Sequence, residues 1–288
     1  MQSTMFLTSV TCIDHAVITP LGTVMGGSFS PDFYVTGEVT EDESVVIDFS
    51  TCKKQMKALI DDKETGFDHK LWIIPGWSNC EYEFNGDQVT VTTPALTITA
   101  PANIVKVFDV EDDYANAGYE IADYLVGTGR METVSVAVVM DPAYQYTIPA
   151  RLKPAFFRYS HGLKDSTSWG CQNIAHGHLS YLAIDSDHPL THEIQQQIAN
   201  YLNNSMFVFK DNWNDDTRTI EYTSPRGHFK LSLNNTDQKI CLLDTETTIE
   251  NIVEAVAEMF KDDLEEIGAS ALYVSEGVHK GAVKFLYE

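Results

Sequence analysis

The chain contains 288 residues, of which 43% are hydrophobic, and it has a formal net charge of -23. This composition predicts a globular protein with one large domain or two modest ones, and it argues against a disordered chain. Because nucleic acids and anionic membranes are polyanions, the negative charge argues against either as the main partner.

Strand-like and helical segments alternate through the first half. Runs at residues 5–12 and 29–39 predict two antiparallel strands, which a glycine-rich turn at residues 24–27 would join. A helix is predicted after Asp48 or Ser50, since apolar residues from Cys52 onward recur at helical spacing. The later elements are a hairpin to about residue 100, a second helix over 114–125 and a strand over 132–140.

The second half predicts a similar series of elements. They are strands over residues 155–161 and 178–185, a helix over 190–202, a hairpin around 225–227, a capped helix over 247–260 and strands over 271–275 and 282–287. Because the order strand, strand, helix, hairpin, helix, strand, strand occurs twice, we expect two tandem modules, residues 1–150 and 151–288. Each is predicted to be a four-stranded antiparallel sheet with two helices on one face, an α+β arrangement.

Three histidines in the second half predict a metal site. His176 and His178 are two residues apart in a strand-like run, so both imidazoles should project from one face. His161 ends the preceding run, which can be the antiparallel neighbour of the first. Three imidazoles without a fourth protein ligand are typical of a catalytic zinc ion, which keeps one coordination position open.

The cysteines and the N-terminal segment favour a cytoplasmic protein. The five cysteines are scattered without a CxxC pair, which suggests free thiols in a reducing compartment. No stretch is apolar for long enough to cross a bilayer, and no basic region precedes the short apolar run at the N-terminus.

Seven motifs resemble one protein family. In the second half they are YSHGL, CQNIAHGH, TTIENIVEAVAEMF and YVSEGVHKGAVKFLYE, and in the first half they are VTGEV, VVIDFSTCKKQMKALID and FDHKLW. In the order in which they occur within each half, these motifs resemble those of the 6-pyruvoyltetrahydropterin synthase and 6-carboxytetrahydropterin synthase (QueD-like) family, which has the tunnelling fold (T-fold). The resemblance spans nearly the whole chain and implies a tandem T-fold protein.

The resemblance implies a role for each motif. His161, His176 and His178 would hold zinc, and Cys171 would be the general base. Asp68 and His69 would form a second proton-transfer unit, in which the carboxylate fixes the imidazole tautomer.

Further matched residues would bind the pterin substrate. Glu276 would accept two parallel hydrogen bonds from the guanidine-like edge of the pterin. Thr247, Thr248 and Glu250 lie where the family lines the pterin pocket, at the N-terminus of a helix.

Each half departs from the family pattern in a different place. In the first half His15 is retained, but Gly26-Gly27 stands where HGH would be and Met140-Asp141 stands near the expected glutamate. In the second half Lys210-Asp211 stands where the Asp-His pair would fall. We therefore expect a degenerate first module that supplies Asp68 and His69, with one complete site formed between modules of the same or a neighbouring chain.

The implied function is that of a zinc-dependent lyase. It would convert 7,8-dihydroneopterin triphosphate to 6-carboxytetrahydropterin, acetaldehyde and triphosphate, on the route to queuosine and other 7-deazaguanines. The alternatives are the pyruvoyl-forming reaction, which eliminates triphosphate, and a non-catalytic pterin- or purine-binding protein. Because exposed sheet edges invite association, a homo-oligomer is expected.

Overall fold

The computed structural model describes residues 1–42, 44–109, 117–127, 134–139 and 152–286. In these ranges the strands are β1 (Gln2–Leu7), β2 (Ile13–Ile18), β3 (Val24–Phe29), β4 (Asp32–Glu38), β5 (Leu71–Ile73), β6 (Glu81–Asn85), β7 (Gln88–Thr92), β8 (Leu96–Pro101), β9 (Val105–Val107), β10 (Val134–Val139), β11 (Ala155–His161), β12 (His176–Asp185), β13 (Ser205–Phe209), β14 (Trp213–Asn214), β15 (Thr219–Ser224), β16 (Gly227–Leu233), β17 (Lys239–Leu243), β18 (Ala271–Ser275) and β19 (Gly281–Phe285). The helices are α1 (Phe49–Ile60), α2 (Ala117–Gly127), α3 (Thr191–Leu202), α4 (Ile249–Met259) and α5 (Lys261–Glu266).

Helix starts agree with the capping residues in the sequence. The side chain of Asp48 accepts a hydrogen bond from the Thr51 amide at 2.8 Å, so it caps α1. Thr248 caps α4 in the same way. The start of the predicted helix over 114–125, the boundary near residue 150 and Met140-Asp141 lie outside the described residues. No helix in the described ranges is long and apolar enough to span a membrane.

The predicted turn at residues 24–27 is wrong. Gly26 and Gly27 lie inside β3, which pairs antiparallel with β2. The segment IDHAVI forms β2, and all six of its residues are buried. The strand predicted over residues 5–12 ends earlier than expected, at Leu7 in β1. Strands β1 and β10 flank β4 in a separate three-stranded sheet.

The second half builds a six-stranded sheet in the order β17-β13-β11-β12-β18-β19. Strand β11 pairs antiparallel with β12 but parallel with β13, and β13 is also parallel to β17. A parallel neighbour needs a crossover connection, which β12 and α3 provide between β11 and β13. The prediction of a four-stranded antiparallel sheet is thus wrong, because the sheet has six strands and two of its strand pairs are parallel.

The hairpins of the two halves form one shared sheet, in the order β14-β15-β16-β8-β7-β6. Strands β8 and β16 join the halves, with Ile98 opposite Leu231. Both side chains are fully buried in a core that contains residues of both halves. The remaining strands of the first half form a four-stranded sheet, β3-β2-β5-β9, in place of a single sheet with two helices.

Strand β3 lies directly against β11 and β12, and glycine makes this approach possible. A Cβ atom added at Gly26 would overlap the Tyr159 carbonyl oxygen and lie 2.6 Å from the His178 amide nitrogen. The Gly26 carbonyl accepts a hydrogen bond from Arg158 at 2.8 Å, and Ser28 Oγ accepts one from the Leu179 amide at 3.2 Å. The first half is therefore fixed against the strands that contain the histidines.

We expect Gly26→Ala to destabilise the protein by about 1–3 kcal/mol, because the added methyl group meets backbone atoms that cannot rotate away. Chemical denaturation monitored by circular dichroism measures this change. Gly127→Ala is the matched control, since a Cβ there meets nothing within 4 Å and alanine is the better helix former. Equal losses for the two variants would contradict the close approach of β3 to β11 and β12.

Candidate active site

Three imidazoles meet where β11 ends and β12 begins. His161 is the direct cross-strand partner of His176, in the antiparallel neighbour strand that the sequence predicts, and His178 lies two residues further along the same face of β12. The side chains are buried, and one ring nitrogen from each lies within 4.8 Å of the other two. Nε2 of His161 is 3.1 Å from Nε2 of His178.

Neighbouring oxygens fix the tautomer of each ring. Nδ1 of His161 donates to the Thr247 carbonyl at 2.7 Å, and Nδ1 of His176 donates to the Asn173 carbonyl at 3.0 Å. Nδ1 of His178 lies 3.1 Å from Oδ1 of Asp14. Because Nδ1 of His161 and of His176 donates to a carbonyl and Nδ1 of His178 lies beside a carboxylate, Nε2 is the atom that each ring offers to a ligand.

This arrangement fits a metal ion. Burial lowers the pKa of His161 to about 3 and lowers the pKa of His176 well below its usual value, so both rings are neutral at pH 7. Nε2 of His176 is buried without a hydrogen-bond partner among the described residues, which is costly unless a ligand occupies that direction. The donor set, three imidazoles of which His161 and His176 are neutral, is one that zinc and similar ions prefer.

Asp14 connects the first half to this cluster, and the sequence analysis missed it. It lies in β2, where alternation turns Asp14 toward His178 and turns His15 into the core, stacked 3.7 Å from Trp72. Oδ1 of Asp14 also accepts a hydrogen bond from Ser28 at 2.5 Å, and Oδ2 lies 3.4 Å from the Lys280 ammonium. An acid inside a fully buried strand whose other residues are apolar except for His15 is the signal that the sequence offers for this role.

Asp14 is ionised despite its burial. Burial alone would raise the pKa of Asp14, but His178 and Lys280 hold it well below its ordinary value. A buried carboxylate against the Nδ1 of a ligand histidine orients the ring and raises the basicity of its other nitrogen.

We expect Asp14→Asn to weaken metal binding by about 10- to 100-fold, because the amide removes the charge that supports His178. Competition against a chromophoric chelator measures the dissociation constant. Asp87→Asn, in an exposed turn, is the control and should bind as the parent does. Equal affinity of Asp14→Asn and the parent would mean that the carboxylate charge does not act on the ligand.

A second group of residues joins the two halves beside the histidine cluster. Asp68 Oδ2 accepts a hydrogen bond from His69 Nδ1 at 2.6 Å, and His69 Nε2 lies 3.7 Å from Cys171 Sγ. Cys171 lies in the turn between β11 and β12, on a single turn of 3-10 helix. The ring of His69 is 5.2 Å from that of His176, measured between centroids.

Backbone contacts hold His69 in a strained conformation. Its φ of 54° is uncommon for a residue with a side chain. The His69 amide donates to the Asp14 carbonyl at 2.6 Å, and the His69 carbonyl accepts from Asn173 at 3.1 Å. Gly170 lets the ring approach, since a Cβ there would lie 2.5 Å from the His69 ring. The ring is thereby aimed at Cys171.

The charges within this group favour a thiolate and an imidazolium. Burial would lower the pKa of His69, but the Asp68 carboxylate raises it well above its usual value. Burial would raise the pKa of Cys171, but the hydrogen bond and the charge of His69 lower it below the ordinary thiol value. A cysteine with a lowered pKa beside an oriented histidine can accept or deliver a proton.

The residues expected to bind pterin lie at different distances from the cluster. Glu276 follows β18, with Oε1 4.0 Å from Nε2 of His178 and Oε2 3.2 Å from the Lys280 ammonium. Thr247 is buried against His161, whereas Thr248 caps α4. Glu250 is exposed on the first turn of α4. The structure thus brings Glu276 and Thr247 to the histidines and leaves Glu250 at the surface.

Comparison with known proteins finds similarity at the level of solved structures. No family model and no curated protein matches the chain. The crystal structure of 6-pyruvoyl tetrahydropterin synthase from Plasmodium vivax matches with a TM-score of 0.38 and 15% identity, over 50% of this chain and 94% of that chain. The Plasmodium falciparum 6-pyruvoyl tetrahydropterin synthase matches with a TM-score of 0.36 and 16% identity, over 49% and 98%. An uncharacterized protein from Wolinella succinogenes matches with a TM-score of 0.33 and 11% identity, over 47% and 97%. The first two proteins are members of the family that the sequence motifs resemble.

Proposed function

We propose that this protein is a zinc-dependent lyase that acts on a reduced pterin, as a 6-carboxytetrahydropterin synthase. The substrate is 7,8-dihydroneopterin triphosphate and the products are 6-carboxytetrahydropterin, acetaldehyde and triphosphate, in queuosine and 7-deazaguanine biosynthesis. The choice of this substrate rests on the sequence motifs. The choice of a catalytic role rests on the geometry.

One observation supports catalysis most strongly. Asp68 and His69 of the first half lie against Cys171 of the second half, and His176 of the metal cluster lies beside them. A carboxylate, an oriented imidazole and a thiol in this order form an acid-base unit rather than a structural contact. Neither half contains this unit alone.

Zinc would be held by His161, His176 and His178, since one ring nitrogen of each lies within 4.8 Å of the other two. When bound, the ion supplies Lewis-acid chemistry, which polarises the substrate oxygens and lowers the pKa of hydroxyl groups. The chain's contribution is to orient the three rings, through the Thr247 and Asn173 carbonyls and the Asp14 carboxylate.

Proton transfer is the role of the group on the other side of His176. Cys171, as a thiolate, removes a proton from the side chain of the substrate, and the His69 imidazolium donates a proton from Nε2 and regains one in a later step. Asp68 keeps Nδ1 of His69 protonated and stabilises the imidazolium. The half-buried position of both groups limits the access of water, which would compete for the proton.

Glu276 would orient the pterin ring. Burial would raise the pKa of Glu276, but His178 and Lys280 lower it, so the side chain is a carboxylate with two acceptor oxygens. A carboxylate can accept two parallel hydrogen bonds from the guanidine-like edge of a pterin. Its distance of 4.0 Å from His178 would place the side chain of the pterin over the histidine cluster.

The chain organisation follows from the same proposal. Residues 1–150 would form a module that supplies Asp68, His69 and Asp14, and residues 151–288 would form the module with the zinc ligands and Glu276. Thr248 and Glu250 would line the rim of the pterin site. We propose a homo-oligomer, because strands such as β19 and β6 stand at sheet edges with exposed residues. We propose a cytoplasmic location on the basis of the scattered free cysteines.

The deciding experiment incubates the zinc-loaded protein with 7,8-dihydroneopterin triphosphate and identifies the products by mass. The carboxy product with acetaldehyde is the expected result. Formation of the pyruvoyl product would support the same active site but would mean that the protein catalyses the 6-pyruvoyltetrahydropterin synthase reaction instead. Absence of turnover in folded, zinc-loaded protein would overturn the catalytic proposal in favour of a pterin- or purine-binding protein.

A further inference from the structure

His176 stands between two groups of potential metal ligands. On one side it faces His161 and His178, and on the other side it faces His69 and Cys171. In each group of three, the ligand atoms lie within 4.8 Å of one another. The second group contains a sulfur atom and two ring nitrogens, whereas the first contains nitrogens alone.

The distance between the sulfur and the His69 nitrogen of the second group matches a tetrahedral site. With zinc-nitrogen bonds of about 2.0–2.1 Å and a zinc-sulfur bond of about 2.3 Å, the donor atoms of a tetrahedral site lie roughly 3.4–3.6 Å apart. The distance of 3.7 Å between Cys171 Sγ and His69 Nε2 is close to this value. Asp68 holds Nδ1 of His69, which directs Nε2 toward the sulfur as in other histidine ligands.

The two groups compete for a single lone pair. Nδ1 of His176 donates to the Asn173 carbonyl, so Nε2 is its one free ligand atom, and it has no hydrogen-bond partner in the described structure. One nitrogen lone pair binds one ion. A cation in the second group must therefore take His176 away from the first group.

We infer that the chain has a second metal site, formed by Cys171, His69 and His176, which binds a soft divalent cation and excludes an ion from the three-histidine site. Thiolate donors prefer soft ions, so a cation such as Cd²⁺ selects this site over three imidazoles. The cation replaces the proton between Cys171 and His69, and that proton is released to water.

Occupation of the second site blocks catalysis, a consequence that rests on the proposed function. The cation binds the thiolate and the imidazole that transfer protons, and it removes one of three zinc ligands. Half-buried Cys171 and His69 are accessible to a small ion. The site is thus a means by which soft or excess metal inhibits the enzyme.

The test titrates metal-free protein with Cd²⁺ and follows the ultraviolet absorption of thiolate-to-cadmium charge transfer. We expect the band in the parent, in His161→Ala and in Cys241→Ser, and its loss in Cys171→Ser. His69→Ala and His176→Ala should each weaken Cd²⁺ binding at least tenfold. Survival of the band in Cys171→Ser, or its absence from cadmium-bound parent, would overturn the inference.

A second measurement tests the exclusion. Cd²⁺ is added to zinc-loaded protein, and the zinc released is measured with a chromophoric chelator. We expect zinc release to rise together with the charge-transfer band, whereas zinc that stays bound while the band saturates would refute a shared His176. Neither measurement needs substrate, so each gives a result even if the protein has no lyase activity. Circular dichroism of each variant verifies that it is folded.

Discussion

Replacing Cys171 by alanine is expected to lower turnover of 7,8-dihydroneopterin triphosphate by about 10²- to 10⁴-fold, the range that a positioned acid-base group contributes. The thiol lies 3.7 Å from His69 and has a lowered pKa, so it is the group best placed to remove a proton from the substrate. Zinc binding should persist, because His161, His176 and His178 are unchanged. Single-turnover kinetics with the zinc-loaded variant measure the loss.

Cys241→Ser is the matched control for this variant. Cys241 lies in β17, and burial raises its pKa, as expected for a structural thiol. The control should retain the activity of the parent. If Cys171→Ala also retained it, with zinc bound, the proposal that Cys171 is the base would be wrong, and the binding-protein alternative would gain support.

Local sequence patterns predicted that the three histidines lie close together. Alternation within a strand places His176 and His178 on one face, and the antiparallel register places His161 opposite His176. Both are short-range consequences of backbone geometry. The capping residues of α1 and α4 were predicted for the same reason, since a side-chain oxygen and an amide three residues later meet through local structure alone.

Contacts between the halves were harder to predict. Asp14 reaches His178 because β2 and β3 lie against β12. Gly26 makes this close approach possible, but the neighbours that require a glycine there are distant in sequence. The shared sheet forms because β8 and β16 pair edge to edge, which no periodicity within either hairpin reveals. Long-range pairing depends on complementary buried surfaces, so a pattern read within each half predicted a separate sheet for each.

The family pattern also could not separate near from distant residues in one motif. Thr247 and Glu250 belong to the same segment, yet one is buried against His161 and the other is exposed. The reason is helical geometry. A residue such as Glu250 on the first turn of α4 can face solvent although the helix begins beside the histidine cluster. A sequence motif therefore predicts which helix or strand a residue belongs to, but the direction of its side chain decides whether the residue contacts the histidine cluster.

Replacing His69 by alanine is expected to lower turnover about as much as replacing Cys171, by about 10²- to 10⁴-fold, although His69 belongs to the other half of the chain. His69 is the partner that favours the thiolate, and its loss should also raise the thiol pKa, since the His69 hydrogen bond and charge lower it. The rate of Cys171 alkylation as a function of pH measures this second effect. A structural role alone would leave that profile unchanged.

Mixing the two inactive variants tests which chain provides each residue. His69 and Cys171 meet within one chain, so co-expressed His69→Ala and Cys171→Ala chains should remain inactive after purification as mixed oligomers. If His69 instead acted on a neighbouring chain, about one quarter of the sites in a random mixture would contain both residues, and activity would return in proportion. Recovery of that activity would show that the working site lies between chains, whereas its absence supports a site that one chain completes by joining its own two halves.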